Sequence, residues 1–155
     1  MKIVKLIIVL LLAVGVNTVK AQLTLPKLNN ILTRDDATQL ASVLNKGNID
    51  TCFKESSGWS YCPLSETIRF RAIKCFNWLI SHGADVNRSC DGYVPPLMHA
   101  AKYGTLDMVK TLIAKGADKN YQYSGNYLPA DGQTPTTYAE KCGQNEIADY
   151  LNSLK

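Results

Sequence analysis

Apolar residues in this chain recur three and four positions apart in short bursts, and most bursts close on a glycine. The clearest stretch runs from Asp91 to Asn120. Pro96-Leu97 opens a helical segment, since proline's fixed φ suits a first helical position. Ala100 and Ala101 are small enough for a neighbouring helix to approach closely. Gly104 is expected to end that segment with a positive φ, as glycine does at helix ends. Met108, Val109, Leu112 and Ile113 then recur at helical spacing, and Gly116 stops the second segment. The result is a helix-turn-helix unit with one apolar face, which cannot bury that face alone.

The same spacing returns along the chain. Pro63 and Pro96 each stand 20 residues before a glycine, Gly83 and Gly116. The same offset from Pro135 lands on Lys155, and counting back from Gly47 reaches Lys27, beside Pro26. Asp91 to Asn120 resembles one ankyrin repeat, with Pro95 where threonine is usual and Met98 where histidine is usual. The tail SHGADVN at 81–87 and the turn DGQTP at 131–135 are similar to the same family's most specific segments. The resemblance implies an all-α fold, an ankyrin-repeat α-solenoid of about four helix-turn-helix repeats with β-hairpin fingers. The repeats fall roughly at 26–50, 58–87, 91–120 and 130–155, within a domain spanning 22–155.

The first unit carries Ile31, Leu32, Leu40, Val43 and Leu44 on one face but Gln39 and Ser42 where inner repeats are apolar, as a terminal cap does. Asn152 plays the same part at the other end. Arg71 stands where the inter-helix glycine of repeat 2 would fall. Two connections are enlarged, by three residues before repeat 2 and by six in the stretch YQYSGNYLPADG. Long connections without structure of their own usually work.

Residues 1–21 read as a secretory signal peptide. Lys2 and Lys5 precede the apolar run Ile7 to Val14, and Val19-Lys20-Ala21 offers small residues for cleavage. The apolar run is too short to span a membrane comfortably. An exported protein, periplasmic or secreted, follows as the expectation. Cleavage would remove Lys2, Lys5 and Lys20 with no acid, lowering the formal net charge from +4 to +1. A nearly neutral chain without stacked basic residues is a poor nucleic-acid binder.

No nucleophile motif, phosphate loop or metal-ligand spacing is present, so the chain reads as a non-enzyme without cofactor or metal. His82 and His99 lie in different repeats and registers. Five cysteines remain after cleavage, and an oxidising compartment would favour disulfides among them. Cys52 and Cys62 flank the first enlarged finger, on arms that can bring paired Cβ atoms together. Cys90, in the next finger, competes for either partner. Cys75 reads as a small core residue and Cys142 as too distant to pair with it. The odd count leaves at least one thiol free or intermolecular. The sequon at Asn87 is the ordinary end of GADVN.

In the family that the chain resembles, the two residues before the inter-helix turn face the partner. That resemblance implies Arg69 with Phe70, Lys102 with Tyr103, and Lys141 with Cys142. Arg69, Lys102 and Lys141 would form a basic row with Phe70 and Tyr103 beside it. Trp59, Tyr61, Tyr93, Tyr121, Tyr123 and Tyr127 would add finger contacts, and such residue types dominate interface hot spots. The implied function is an exported, monomeric protein-binding module whose partner is acidic at its contact patch. A concrete version is an inhibitor or immunity protein masking a toxin or enzyme. The alternative gives the surplus thiol a redox or stress-protective role.

Overall fold

The computed structural model describes residues 23–154, so the expected signal peptide lies outside them. Four helix pairs follow in order: α1 (Leu25–Thr33) with α2 (Ala37–Val43), α3 (Pro63–Phe70) with α4 (Ile73–Ser81), α5 (Pro96–Tyr103) with α6 (Leu106–Ala114), and α7 (Pro135–Lys141) with α8 (Asn145–Ser153). The first member of each pair stacks on that of the next, making one continuous inner layer, with the second members behind. Leu28, Leu64, Leu97 and Tyr138 are among the side chains that fill the interior.

Each inner helix starts where the proline spacing places it. Pro63, Pro96 and Pro135 take first helical positions, where their missing N–H is no loss. Thr134 and Thr137 form a reciprocal capping box on α7. Cys62 caps α3, its sulfur accepting from the Ser65 N–H. Helix α2 ends at Val43, short of Gly47, because Leu44 turns extended.

The inter-helix turns overturn one expectation. Gly104 has φ −76°, not positive. What it requires is room: a Cβ there would sit 2.8 Å from the Cα and the carbonyl oxygen of Ala100. The left-handed conformation occurs at the equivalent places in the other repeats, at Asp35 (φ 49°), Arg71 (φ 52°) and Gly143 (φ 72°). Arg71 thus makes the turn that glycine was expected to make, and its Nε donates to the Tyr103 carbonyl at 2.9 Å.

Similar bonds tie each repeat to the next. The Asp35 carboxylate accepts from the Lys74 and Cys75 N–H groups, both at 2.9 Å, capping α4, whose own N-cap Ala72 offers no side-chain acceptor. Asn87 donates to the Gly116 carbonyl and accepts from the Asp118 N–H, both at 3.0 Å. The sequon asparagine is therefore a bridge between repeats 2 and 3. Gln144 donates to the Lys102 carbonyl at 3.0 Å. The outer positions Asn30, Thr38, Gln39 and Ser42 at one end, and Asn145, Glu146, Asp149 and Asn152 at the other, are exposed. Both ends of the stack are polar.

Only the first finger is a paired hairpin among the described residues. β1 (Phe53–Lys54) and β2 (Ser60–Tyr61) run antiparallel, Phe53 opposite Tyr61 and Lys54 opposite Ser60. The second connection is a turn, closed by a hydrogen bond from the Tyr93 N–H to the Cys90 carbonyl. The third closes through Tyr123 N to Gln133 O and Gly132 N to Tyr123 O, with a single 3-10 turn at Leu128–Ala130 between.

Candidate functional site

Three successive connections converge over the inner helices. Cys52 is bonded to Cys90, with Cα atoms 5.7 Å apart, and the Ser60 hydroxyl bonds the Asp91 carboxylate. These links place the first two fingers side by side. Their rings pack with the third: Trp59–Tyr93 at 4.9 Å, Tyr61–Tyr93 at 5.1 Å, Tyr93–Tyr127 at 4.9 Å and Trp59–Tyr127 at 5.5 Å between centroids. The last three meet edge-to-face, and such pairs add about 0.5–1.5 kcal/mol each beyond area burial. Trp59 and Tyr127 stay half-exposed on top.

Not all expected contact residues reach the surface. Tyr61 and Tyr93 are buried, so they form the floor of the cluster rather than its face. Tyr123 is buried too, its hydroxyl accepting from the Tyr127 N–H at 3.0 Å. It shapes the third loop from inside, and a side chain at Gly125 would collide with its hydroxyl at 2.5 Å. Tyr121 is half-buried and takes no part in the ring cluster among the described residues. Sequence alone could not sort these tyrosines, because alternation in so short a finger does not say which side is covered.

The expected basic row is also re-sorted. Arg69 lies over the Tyr61 ring at 4.3 Å and is paired with Glu66 at 2.7 Å and Glu55 at 3.5 Å. Its charge is spent inside the domain. Lys141 is exposed and donates to the Pro129 carbonyl at 2.9 Å. Lys102 differs from both: half-buried, it lies 4.7 Å above the Tyr103 ring and donates to the Tyr127 hydroxyl at 3.0 Å. Burial alone would depress its ammonium, but the tyrosine hydroxyls outweigh that and hold its pKa above the usual lysine range. No carboxylate pairs with it among the described residues. Beside it Phe70 is 37% exposed and Tyr103 half-exposed, and Leu128, at the tip of the third loop, is 77% exposed.

Beneath this face runs a row that the sequence reading missed. Asn29, Glu66, His99 and Tyr138 each stand three residues after a repeat proline, and each has a buried polar atom without a hydrogen bond. The proline spacing would have found it had every offset been compared. Burial raises the Glu66 pKa despite Arg69. Burial, with Arg69 and Lys102 adding to it, lowers that of His99 to about 3, so the ring is neutral. His99 packs against Tyr93 and Tyr61, at 5.3 and 5.9 Å.

The cysteines resolve the open pairing. Cys62 faced Cys52 on paper, yet its side chain turns inward to cap α3 and is 1% exposed, leaving Cys52 to Cys90. Cys62 and Cys75 are buried thiols and Cys142 is half-buried. Burial pushes Cys75 up to about 12, with Asp35 adding to the shift. Exposed His82 stacks on Trp78 at 4.0 Å, away from the finger cluster. Among the described residues no His, Cys, Asp or Glu group could hold a metal ion, and no helix is long and apolar enough to cross a membrane.

A stack of proline-started, turn-linked helix pairs with fingers on one edge has a counterpart among known families. The family model described as ankyrin repeats (3 copies) matches residues 10–123 and 66–154. The chain belongs to the ankyrin-repeat family. An ankyrin repeat protein of fowlpox virus (strain NVSL) is 33% identical over 92 residues, covering 59% of this chain and 14% of its own. The E3 ubiquitin-protein ligase hecd-1 of Caenorhabditis elegans is 27% identical over 131 residues, covering 82% of this chain and 4% of its own. The chain thus spans a small part of either relative. Ankyrin repeats are scaffolds for protein–protein interaction, and the finger cluster lies on the edge such scaffolds use.

Proposed function

We propose that this chain is an exported ankyrin-repeat module that holds another protein across its fingers and inner helices. The observation that carries the reading is Lys102. It is a half-buried ammonium with tyrosine neighbours but no counter-ion among the described residues, set between the half-exposed rings of Tyr103 and Tyr127, the second of which packs on Trp59. A partner carboxylate placed there would meet a cation already partly desolvated, while apolar groups cover the rings. Aromatic anchors around a charged centre are the usual composition of interface hot spots. The acidic contact patch is thus centred on Lys102, since Arg69 is neutralised internally and Lys141 is exposed and bonded to the Pro129 carbonyl.

Export is supported by the lysine-flanked apolar start and by a disulfide, which persists in oxidising compartments. Polar caps at both ends of the stack support a monomer. An inhibitor or immunity protein that masks a toxin or enzyme suits a small exported domain of this kind. The test is affinity capture of the tagged mature chain from its own extracytoplasmic fraction, with Lys102→Glu and Lys102→Met beside it. One stoichiometric partner, retained weakly by Met and lost by Glu at unchanged melting temperature, is the expected result. Equal capture by all three chains would refute the Lys102-centred face.

A further inference from the structure

Three cysteines of the first two fingers stand in an arrangement that the binding face does not use. The ladder pairs Phe53 with Tyr61 and Lys54 with Ser60, so one step outward Cys52 falls opposite Cys62. The Glu55 N–H donates to the Trp59 carbonyl at 2.7 Å, which makes that pair a hydrogen-bonded one. Pairs alternate along an antiparallel ladder, so Cys52 and Cys62 fall at a non-hydrogen-bonded position. Such positions bring Cα atoms to about 4.5 Å. That lies inside the disulfide range of about 4.4–6.8 Å. The bond actually made runs from Cys52 to Cys90 in the next finger.

Arg88 stands against the sulfurs of Cys62 and Cys52, which are not joined to each other. The Cys62 sulfur is 3.8 Å from its carbonyl oxygen, and its guanidinium is 3.5 Å from the Cys52 sulfur. A reduced cysteine therefore shares one neighbouring residue with a disulfide whose half-exposed member it also faces in the hairpin register. Cys75 and Cys142 have no such placement, lying on α4 and at the end of α7.

We propose that Cys52 exchanges between Cys90 and Cys62, an internal disulfide isomerisation that releases the second finger from the first. Cys62 gives its proton to water and its thiolate attacks the Cys52 sulfur. The Cys52–Cys62 bond forms, the Cys52–Cys90 bond breaks, and Cys90 leaves as a thiolate that takes up a proton. One disulfide and one thiol stand on each side, so no oxidant is consumed. The staple then lies within the first finger, and Tyr93 is held beside Trp59 and Tyr61 by packing and by the Ser60–Asp91 bond alone. Burial holds the Cys62 thiol above its usual range, so exchange waits on the Cys62 side chain leaving its capping position on α3. Its control over partner binding rests on the reading that the fingers hold the partner; the exchange itself does not.

Lys54 and Arg88 place the three cysteines on separate tryptic peptides, so each linkage has its own mass. The oxidised chain is incubated in a glutathione redox buffer at three pH values one unit apart, quenched with N-ethylmaleimide and mapped without reduction. The Cys52–Cys62 pair, with Cys90 alkylated, is expected to accumulate about tenfold faster per pH unit while the thiol remains mostly protonated. Cys62→Ser keeps a capping acceptor on α3 and should show Cys52–Cys90 alone. Cys90→Ser should convert fully to Cys52–Cys62. A folded Cys90→Ser chain with Cys52 and Cys62 both alkylated, or wild type holding only Cys52–Cys90 at every pH, overturns the proposal. Neither result depends on a partner, so loss of the exchange and loss of the binding reading are told apart.

Discussion

Asp35→Ala tests how far one repeat is held by the next. The Asp35 carboxylate caps the start of α4, 39 and 40 residues away in sequence, through the Lys74 and Cys75 N–H groups. Losing a helix cap costs typically about 1 kcal/mol, within about 0.5–2. The negative charge at the helix start adds about 0.3–1 kcal/mol. Asp35 also holds φ 49°, a conformation that aspartate and asparagine tolerate better than alanine does. Together these predict a loss of about 2–3 kcal/mol for alanine. Asp35→Asn keeps one acceptor and the conformational preference, so it should lose about 1 kcal/mol. Asp35→Gly loses both bonds but relieves the backbone, and should fall between them. Urea unfolding followed by tryptophan fluorescence gives the ranking. With a slope of about 1–3 kcal/mol/M, alanine should move the midpoint by about 0.7–3 M at unchanged slope. Alanine within about 0.5 kcal/mol of wild type would refute the inter-repeat cap. Alanine no worse than glycine would refute the backbone part.

Three other outcomes follow from the same geometry. Gly104→Ala places a methyl 2.8 Å from the Ala100 backbone and should destabilise by about 1–3 kcal/mol in the same assay, although φ at this site suits alanine. Cleaving the Cys52–Cys90 bond, which spans 38 residues, should lower stability by up to about 4 kcal/mol in thermal unfolding with and without reductant. His99 stays neutral when folded, down to about pH 3, but charges at its ordinary value when unfolded. The unfolded chain therefore binds the extra proton, and stability falls as pH drops from 6.5 towards 3. Between pH 6.5 and 4.5 this contributes at most about 2.7 kcal/mol. His99→Phe should remove that part of the acid loss, and identical pH profiles for the two chains would contradict it.

Repeat count, helix starts and helix stops were legible along the chain because they are local. A proline at a first helical turn and a glycine at a helix end act on neighbours within about four residues, and Gly83 and Gly116 do adopt left-handed conformations at the ends of α4 and α6. The caps were legible for the same reason, as polar residues at positions where inner repeats are apolar. The candidate face was legible only as a set of residue types. Whether Tyr61, Tyr93 and Tyr123 are floor or surface depends on rings brought over them from other connections. Arg69 has a local partner in Glu66, one helical turn earlier, but its second one, Glu55, reaches it only because the first hairpin swings back onto α3. Gly104 was rightly placed for the wrong reason, because packing against Ala100 and not backbone handedness demands glycine there. The sequence by itself therefore determined the repeats and their ends, through forces that act within one turn. The tertiary structure decided the disulfide partner, the cross-repeat caps and the half-burial of Lys102 among tyrosines, with no carboxylate paired to it among the described residues. Those depend on side chains some 30–40 residues apart that meet only after the repeats have stacked.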